Sequence, residues 1–450
     1  MKKISLIPLV GIIYFTVSGG AFGLEKLVSS TGPGLALLLL IATPLLWSLP
    51  VALMVSEMSS MLPVHGGYYR WVYFALGRFW GFQQGWWIWI FTFVDMSIYP
   101  VLFADYAKYF FPHLAGWQHW LVCLLVIYTS LVINLRGAHS VGRSSVLAFV
   151  IVTIPFLLFT ILGVSKIEHA PWLPWTTGGD NLIQTIGLGL AVVIWNYSGW
   201  DNVSTFAGEV DNPRRNYPLA LMISVPLITL LYLLPMGVGV GTTVNWSEWQ
   251  TGDIAKVAGQ VVGPWLGATM SLAVMFSVWS LFNSQLLYTS RLPFAMAEDG
   301  FFPKWIARRN ARWGTPHISL LICSIIYSLF CLLDFKKLVV INVLIYSTAL
   351  LLQFYALIRL RRERPKLSRP FRIPGGWAGV ILSTGSVVIF AAVCFVFFLL
   401  GTGDSWKQVV IAAGMLLTGP LVFAIATRVL DQSPVNEAWL RELDHSPDKD

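Results

Sequence analysis

Apolar residues along this chain fall in runs of roughly 18 to 25, long enough to cross a hydrocarbon core of about 30 Å. Splitting the chain at its charged, proline-rich and glycine-rich punctuation predicts about twelve helices, over 6–28, 33–62, 79–111, 117–135, 144–164, 182–206, 217–242, 264–297, 317–333, 338–360, 377–400 and 407–430. The third is longer than a bilayer requires and is expected to tilt or to extend beyond it. The stretch 246–262 is polar and too short to span, so an extramembrane loop with a short helix is expected there. The polar tail 431–450 is expected to be mobile. The pattern predicts an all-α integral membrane protein.

Composition supports this reading. The chain is 56% hydrophobic and only 12% charged, with a mean hydropathy of +0.68, too little polar surface for a water-soluble protein of this length. The net charge of +8 would otherwise suggest nucleic acid, but the basic residues sit in short loops between apolar runs. Placing the N-terminus inside puts about 23 of the 30 Lys and Arg on the cytoplasmic side. Nucleic acid is thereby set aside, and both termini are expected in the cytoplasm, with the chain in the cytoplasmic (inner) membrane. The four cysteines lie inside apolar runs without metal-like spacing. No phosphate-binding loop, nucleophile elbow or zinc-protease motif occurs, so neither a metal, a cofactor nor an enzymatic activity is expected.

Two predicted helices carry interruptions. The first contains Ser18-Gly19-Gly20-Ala21-Phe22-Gly23, whose glycines each cost a helix about 1 kcal/mol relative to alanine; close helix packing is the alternative use of such residues. The sixth contains Trp195-Asn196-Tyr197-Ser198-Gly199-Trp200-Asp201-Asn202, a polar stretch with a carboxylate where an unpaired charge costs at least about 2.5 kcal/mol. The interruptions lie five helices apart. A repeat of five spans inserts in the opposite sense, the pattern of inverted repeats whose discontinuous helices meet at the midplane. Freed N–H groups there favour anionic groups, and freed carbonyls favour amines and cations. In the third helix, Asp95 and Tyr99 stand four residues apart and so share a face. Surplus carboxylates favour a cationic ligand or a proton. Asp95 and Glu57 are the candidate proton carriers, while Asp105 and Glu25 are expected near the outer surface.

The residues that carry these signals resemble the polyamine/cation symporter branch of the amino acid–polyamine–organocation superfamily. The likeness rests on Val17 to Gly23 followed by Glu25, on Trp80-Gly81-Phe82-Gln83-Gln84-Gly85-Trp86 with Asp95 and Tyr99-Pro100, and on Trp195-Asn196 and Trp200-Asp201 leading into Gly208-Glu209-Val210. It implies a LeuT-like fold of five plus five inverted helices with two more at the C-terminus. The repeats would occupy 1–165 and 166–362, the last two helices 363–430, and a cytoplasmic tail 431–450. It implies that Ser18, Gly19, Gly20, Ala21, Phe22, Trp195, Asn196, Ser198, Gly199, Trp200 and Asp201 line a substrate site with Asp95, Tyr99 and Asn283, and that Glu209 forms an inner gate with Arg214 or Arg215. The eighth helix departs from that branch. Trp279 to Gln285 is neutral where an acidic residue for a second amine is expected, which favours a single-amine substrate such as an amino acid. The fifth helix also lacks the lysine that some proton-coupled relatives use.

The expected activity is secondary active transport of amino acids or polyamines, coupled to protons, by a monomer or homodimer. A substrate/product exchanger, and a ligand-binding membrane receptor that moves nothing, are the alternatives.

Overall fold

The computed structural model describes residues 5–62, 67–136, 141–178, 182–202, 204, 210–310, 312, 314–400 and 405–429. Among these the regular structure is entirely helical. Eight helices are long and apolar enough to cross a membrane, and four shorter apolar helices accompany them.

The first apolar run is divided into α1 (Leu6–Val17) and α2 (Glu25–Thr31). The second comprises α3 (Pro33–Thr43) and α4 (Leu49–Met61), joined by one wide π-helical turn at Pro44–Ser48. A short amphipathic helix follows, α5 (Gly67–Leu76), which the span pattern does not predict. Then come α6 (Arg78–Ala107), α7 (Gly116–Leu135), α8 (Val141–Gly163) and α9 (Leu182–Asn196). The helix α10 (Pro213–Gly241) leads through a polar loop to α11 (Asp253–Val261), the short helix expected there. The predicted eighth helix is two, α12 (Pro264–Thr289) and α13 (Arg291–Glu298). Pro293 falls in the first turn of α13, where its missing N–H is not needed. The chain closes with α14 (His317–Phe330), α15 (Phe335–Glu363), α16 (Gly376–Leu400) and α17 (Ser405–Val429).

At about 1.5 Å per residue, the 30 residues of α6 outrun the hydrocarbon core. This helix is the central post of the molecule and packs against α5, α7, α12, α14, α15 and α17. Burial follows from that position: Phe82, Val94, Met96, Ile98 and Leu102 are all sealed from solvent. Peripheral helices are built the other way round. Leu121 and Leu125 of α7, Ile381 and Leu382 of α16, and Leu417 and Leu421 of α17 all point outward. An apolar outer surface of this extent is unfavourable in water and favourable in lipid.

One buried charge cluster ties the end of α4 to the far end of α15. Glu57 is fully buried, and its carboxylate accepts hydrogen bonds from Arg361 Nε at 2.7 Å and the Ile373 backbone N–H at 2.8 Å. Arg361 Nη2 makes a second, very close contact, and Arg369 Nε lies at 3.6 Å. Ser60 beside it accepts from the Phe371 N–H. The sequence marks Glu57 as a candidate proton carrier, but these bonds occupy it as the anchor of segment 361–373.

Removing one partner of a buried ion cluster leaves the others uncompensated, a loss of about 3 kcal/mol or more. Glu57→Gln is therefore expected to lower the thermal midpoint of the purified protein by several degrees, and unfolding followed by tryptophan fluorescence checks it.

Candidate functional site

The interruption between α1 and α2 is a consequence of backbone conformation. Gly19, Gly20 and Gly23 take φ values of +65°, +141° and +74°, which side chains with a Cβ rarely adopt. The α1 ladder ends where the Ser18 and Gly19 N–H groups both bond to Tyr14 O. Inside the turn, Gly20 N–H donates to Ser18 Oγ and Phe22 N–H to Gly20 O. Gly19 O accepts from Ser277 Oγ of α12 at 2.6 Å, so a backbone group that the helix no longer satisfies finds its partner on a neighbour. A Cβ on Gly19 would stand 2.3 Å from Leu281 Cδ1.

The second interruption begins at the end of α9. Gly199 has φ +96°, and its N–H donates to the Tyr346 hydroxyl of α15 at 3.2 Å. That hydroxyl donates in turn to Asp201 Oδ1 at 2.7 Å, while Gln353 Nε2 donates to Asp201 Oδ2 at 2.8 Å. Both carboxylate oxygens are thus used by α15, and Asp201 is fully buried. The Trp200 indole is likewise buried, donating to Tyr197 O at 2.7 Å. The two interruptions touch: a Cβ on Gly199 would lie 2.9 Å from Thr16 O.

Where they meet lies a small cavity. Thr16, Val17, Ser18 and Phe22 line it from the first interruption, with Phe15 beneath. Trp195, Asn196, Ser198, Gly199 and Asn202 line it from the second. Phe91, Asp95 and Tyr99 contribute one face of α6, and Leu281 and Gln285 come from α12. Asp95 is the only charged residue among the described lining residues. Its Oδ1 accepts from Trp195 Nε1 at 3.3 Å and from Asn342 Nδ2 of α15 at 3.1 Å, so neither bond occupies Oδ2. One turn further along α6, the Tyr99 hydroxyl accepts from Gln285 Nε2 at 2.8 Å. No cation is within salt-bridge distance of Asp95 among the described residues.

Several sequence candidates fall together here: Ser18, Phe22, Asp95, Tyr99, Trp195, Asn196, Ser198 and Gly199. Gly19, Gly20 and Ala21 shape the turn without lining the cavity. Trp200 and Asp201 are spent on holding the second interruption in place. Asn283 faces away, its carbonyl and side-chain oxygens both accepting from Asn134 Nδ2 of α7 at 3.0 Å. Two positions along a helix turn a side chain about 200°, which is why Gln285 and not Asn283 reaches the cavity. Glu57 lies in the ion cluster described above and is absent from the lining. Glu209 lies outside the described residues. Sequence reasoning did not assign Phe15, Thr16, Val17, Phe91, Leu281 or Gln285 to the site, nor Asn342 beside it, and it placed Asn202 in the second interruption without giving it a role. Phe91, four residues before Asp95, was the one carrying a periodicity signal.

Comparison with known proteins bears directly on this arrangement. The model of the amino acid permease family matches residues 4–421. A probable polyamine transporter of Arabidopsis thaliana is 37% identical over 384 residues, covering 85% of this chain and 77% of the relative. A second Arabidopsis thaliana protein, polyamine transporter RMV1, is 35% identical over 85% of this chain and 78% of its own length. Polyamine transporter PUT1 of Oryza sativa subsp. japonica is 33% identical over 98% of this chain and 80% of its own length. With helical structure throughout its described elements, outward-facing apolar helices, two abutting backbone interruptions and a family match over nearly its whole length, the chain belongs to the amino acid permease family of integral membrane transporters.

Proposed function

We propose that the protein is a secondary active transporter of small amine-bearing solutes, amino acids or polyamines, and that Asp95 receives the ammonium group. The observation that carries the reading is a single carboxylate, without a cationic partner among the described residues, facing a cavity formed where two interrupted helices meet. Similarity to proteins named polyamine transporters supports the same solute class. Asn196, Asn202, Ser18 and Gln285 would hydrogen-bond the uncharged remainder of the solute. Phe22, Phe91 and Trp195 would pack against its apolar part.

The finer architecture belongs to the same proposal. Eight long and four shorter apolar helices are consistent with twelve spans, and interruptions in the first and sixth are consistent with a LeuT-like pair of inverted five-helix repeats over 1–165 and 166–362. The distribution of basic residues among the loops supports a cytoplasmic position for both termini. Alternating access would rock the interrupted helices against the α6–α12 framework, because each interruption is fixed by only a few bonds to its neighbours. Proton coupling falls to Asp95, since Glu57 is held by Arg361 and Arg369. A proton and an ammonium group would then share one carboxylate, which links the two movements.

Asp95→Asn is expected to reduce uptake into proteoliposomes at least about 100-fold while leaving the protein inserted and monodisperse. Wild-type protein should gain thermal stability with bound amino acid or diamine, because binding to the native state alone raises stability, and Asp95→Asn should gain none. Uptake by Asp95→Asn at the wild-type rate would remove this residue from the mechanism. Uptake that follows an imposed pH gradient supports symport, whereas uptake that requires trapped internal substrate identifies an exchanger.

Gly19→Ala is expected to lower the uptake rate at least about tenfold, since its methyl group meets Leu281 and the residue is forced to a positive φ. Ser277→Ala removes only the bond to Gly19 O and should have a smaller effect on the same assay.

A further inference from the structure

A second, small pocket lies between α2, α9 and the first turns of α15. Its walls are apolar, including Leu188, Val192 and Val340, but its polar lining is Lys26, Ser30 and Lys336. Phe335 forms its floor. That ring stands edge-on to Trp195, with centroids 5.4 Å apart at 84°, and packs where a Cβ on Gly23 would be 2.8 Å away. Trp195 lines the central cavity and donates to Asp95. One aromatic pair therefore separates the two spaces.

The charges around this pocket are unequal. Asp253 is paired with Lys256 at 2.7 Å, and Asp334 with Lys337 at 2.8 Å. Asp105 is shared by Lys108 and His119. Glu25, next to Lys26 in the chain, is buried, its Oε1 taken by Tyr106 and the Gly252 N–H. Lys26 is held by the neutral Gln250 side chain. Lys336 is exposed and has no ion pair among the described residues. The two pocket lysines thus leave a net positive field at its mouth.

Resting on the amine reading above, we infer that this pocket is the outer vestibule of the central cavity and that Lys26 and Lys336 set its charge selectivity, favouring amines that also carry a carboxylate and disfavouring a second ammonium group. The apolar walls accommodate the carbon skeleton, Lys336 and Lys26 draw the carboxylate, and the amine end faces the aromatic pair behind which Asp95 lies. Central cavity and vestibule then recognise opposite ends of one zwitterionic solute in succession.

Lysine and cadaverine test this, because they differ by one carboxylate and share every other group. Competition of each against a transported solute in proteoliposomes gives a cadaverine-to-lysine preference ratio. In the Lys26→Gln/Lys336→Gln double variant the ratio should move toward cadaverine at least about tenfold. Lys336→Gln alone, at an exposed position, should give a smaller shift of the same sign, and Lys336→Glu a larger one. High salt should move the wild-type ratio toward that of the double variant, since exposed charges are screened. A ratio within about twofold of wild type in all three variants, with normal uptake, overturns the vestibule assignment and leaves the central site standing. Failure of the wild type to bind or move any amine overturns the amine reading itself, and this inference with it.

Discussion

A peptide group removed from water inside a membrane must find a partner in the protein, and the two interrupted helices exist under that constraint. Each interruption is closed by a donor or acceptor borrowed from a helix that is itself unbroken. Ser277 of α12 donates to the Gly19 carbonyl, and Tyr346 of α15 accepts from the Gly199 N–H. Asp201 extends the second closure, fixing Tyr346 and Gln353 in one network. The cavity is what remains when the local turns are satisfied sideways. Most of its lining side chains take no part in these closures, although Gly199 both lines it and makes one.

This division of labour accounts for the two buried carboxylates Asp95 and Asp201 behaving differently. Asp201 and Asp95 are both buried among helices, yet the bonds from α15 reach both oxygens of the first and only Oδ1 of the second. A carboxylate whose acceptor positions are filled by neutral donors is a structural strut. Asp95 differs in lining the cavity, beside Tyr99. Glu57 is a third case, neutralised by arginines from α15 and the following segment.

The helices were largely legible in the sequence because span length is a strong signal. The predicted runs 117–135 and 377–400 differ by one residue from α7 and α16. Both interruptions were legible as well, since glycines weaken a helix and polar groups are costly at that depth unless the chain turns there. The short helix α5 was hidden by its amphipathic pattern, which resembles an ordinary loop between spans. Within the site, Asp95 and Tyr99 could be grouped because their four-residue spacing fixes a common face. Asn283 and Gln285 could not be told apart: α12 has apolar residues on every side, so the sequence supplies no phase to say which polar residue faces inward. The partners of Asp201 and Glu57 come from a distant helix, α15, and no local pattern announces them.

The charge content of the cavity bears on what it can hold. Two unit charges about 4 Å apart attract by about 4 kcal/mol at an effective dielectric constant near 20, enough to repay much of the desolvation of one ammonium group. A second ammonium in the same cavity would find only neutral amides and hydroxyls, and burying a charge without a counter-charge is costly. On the amine reading proposed above, such a lining suits one ammonium group with a neutral or zwitterionic remainder. On the vestibule proposal, a longer polyamine would have to keep its other amines outside the cavity, near Lys26 and Lys336. The similarity to proteins named polyamine transporters extends along most of the chain, but charge selectivity rests on only a few positions. The neutral α12 face at Gln285 and, on the vestibule proposal, Lys26 and Lys336 are such positions.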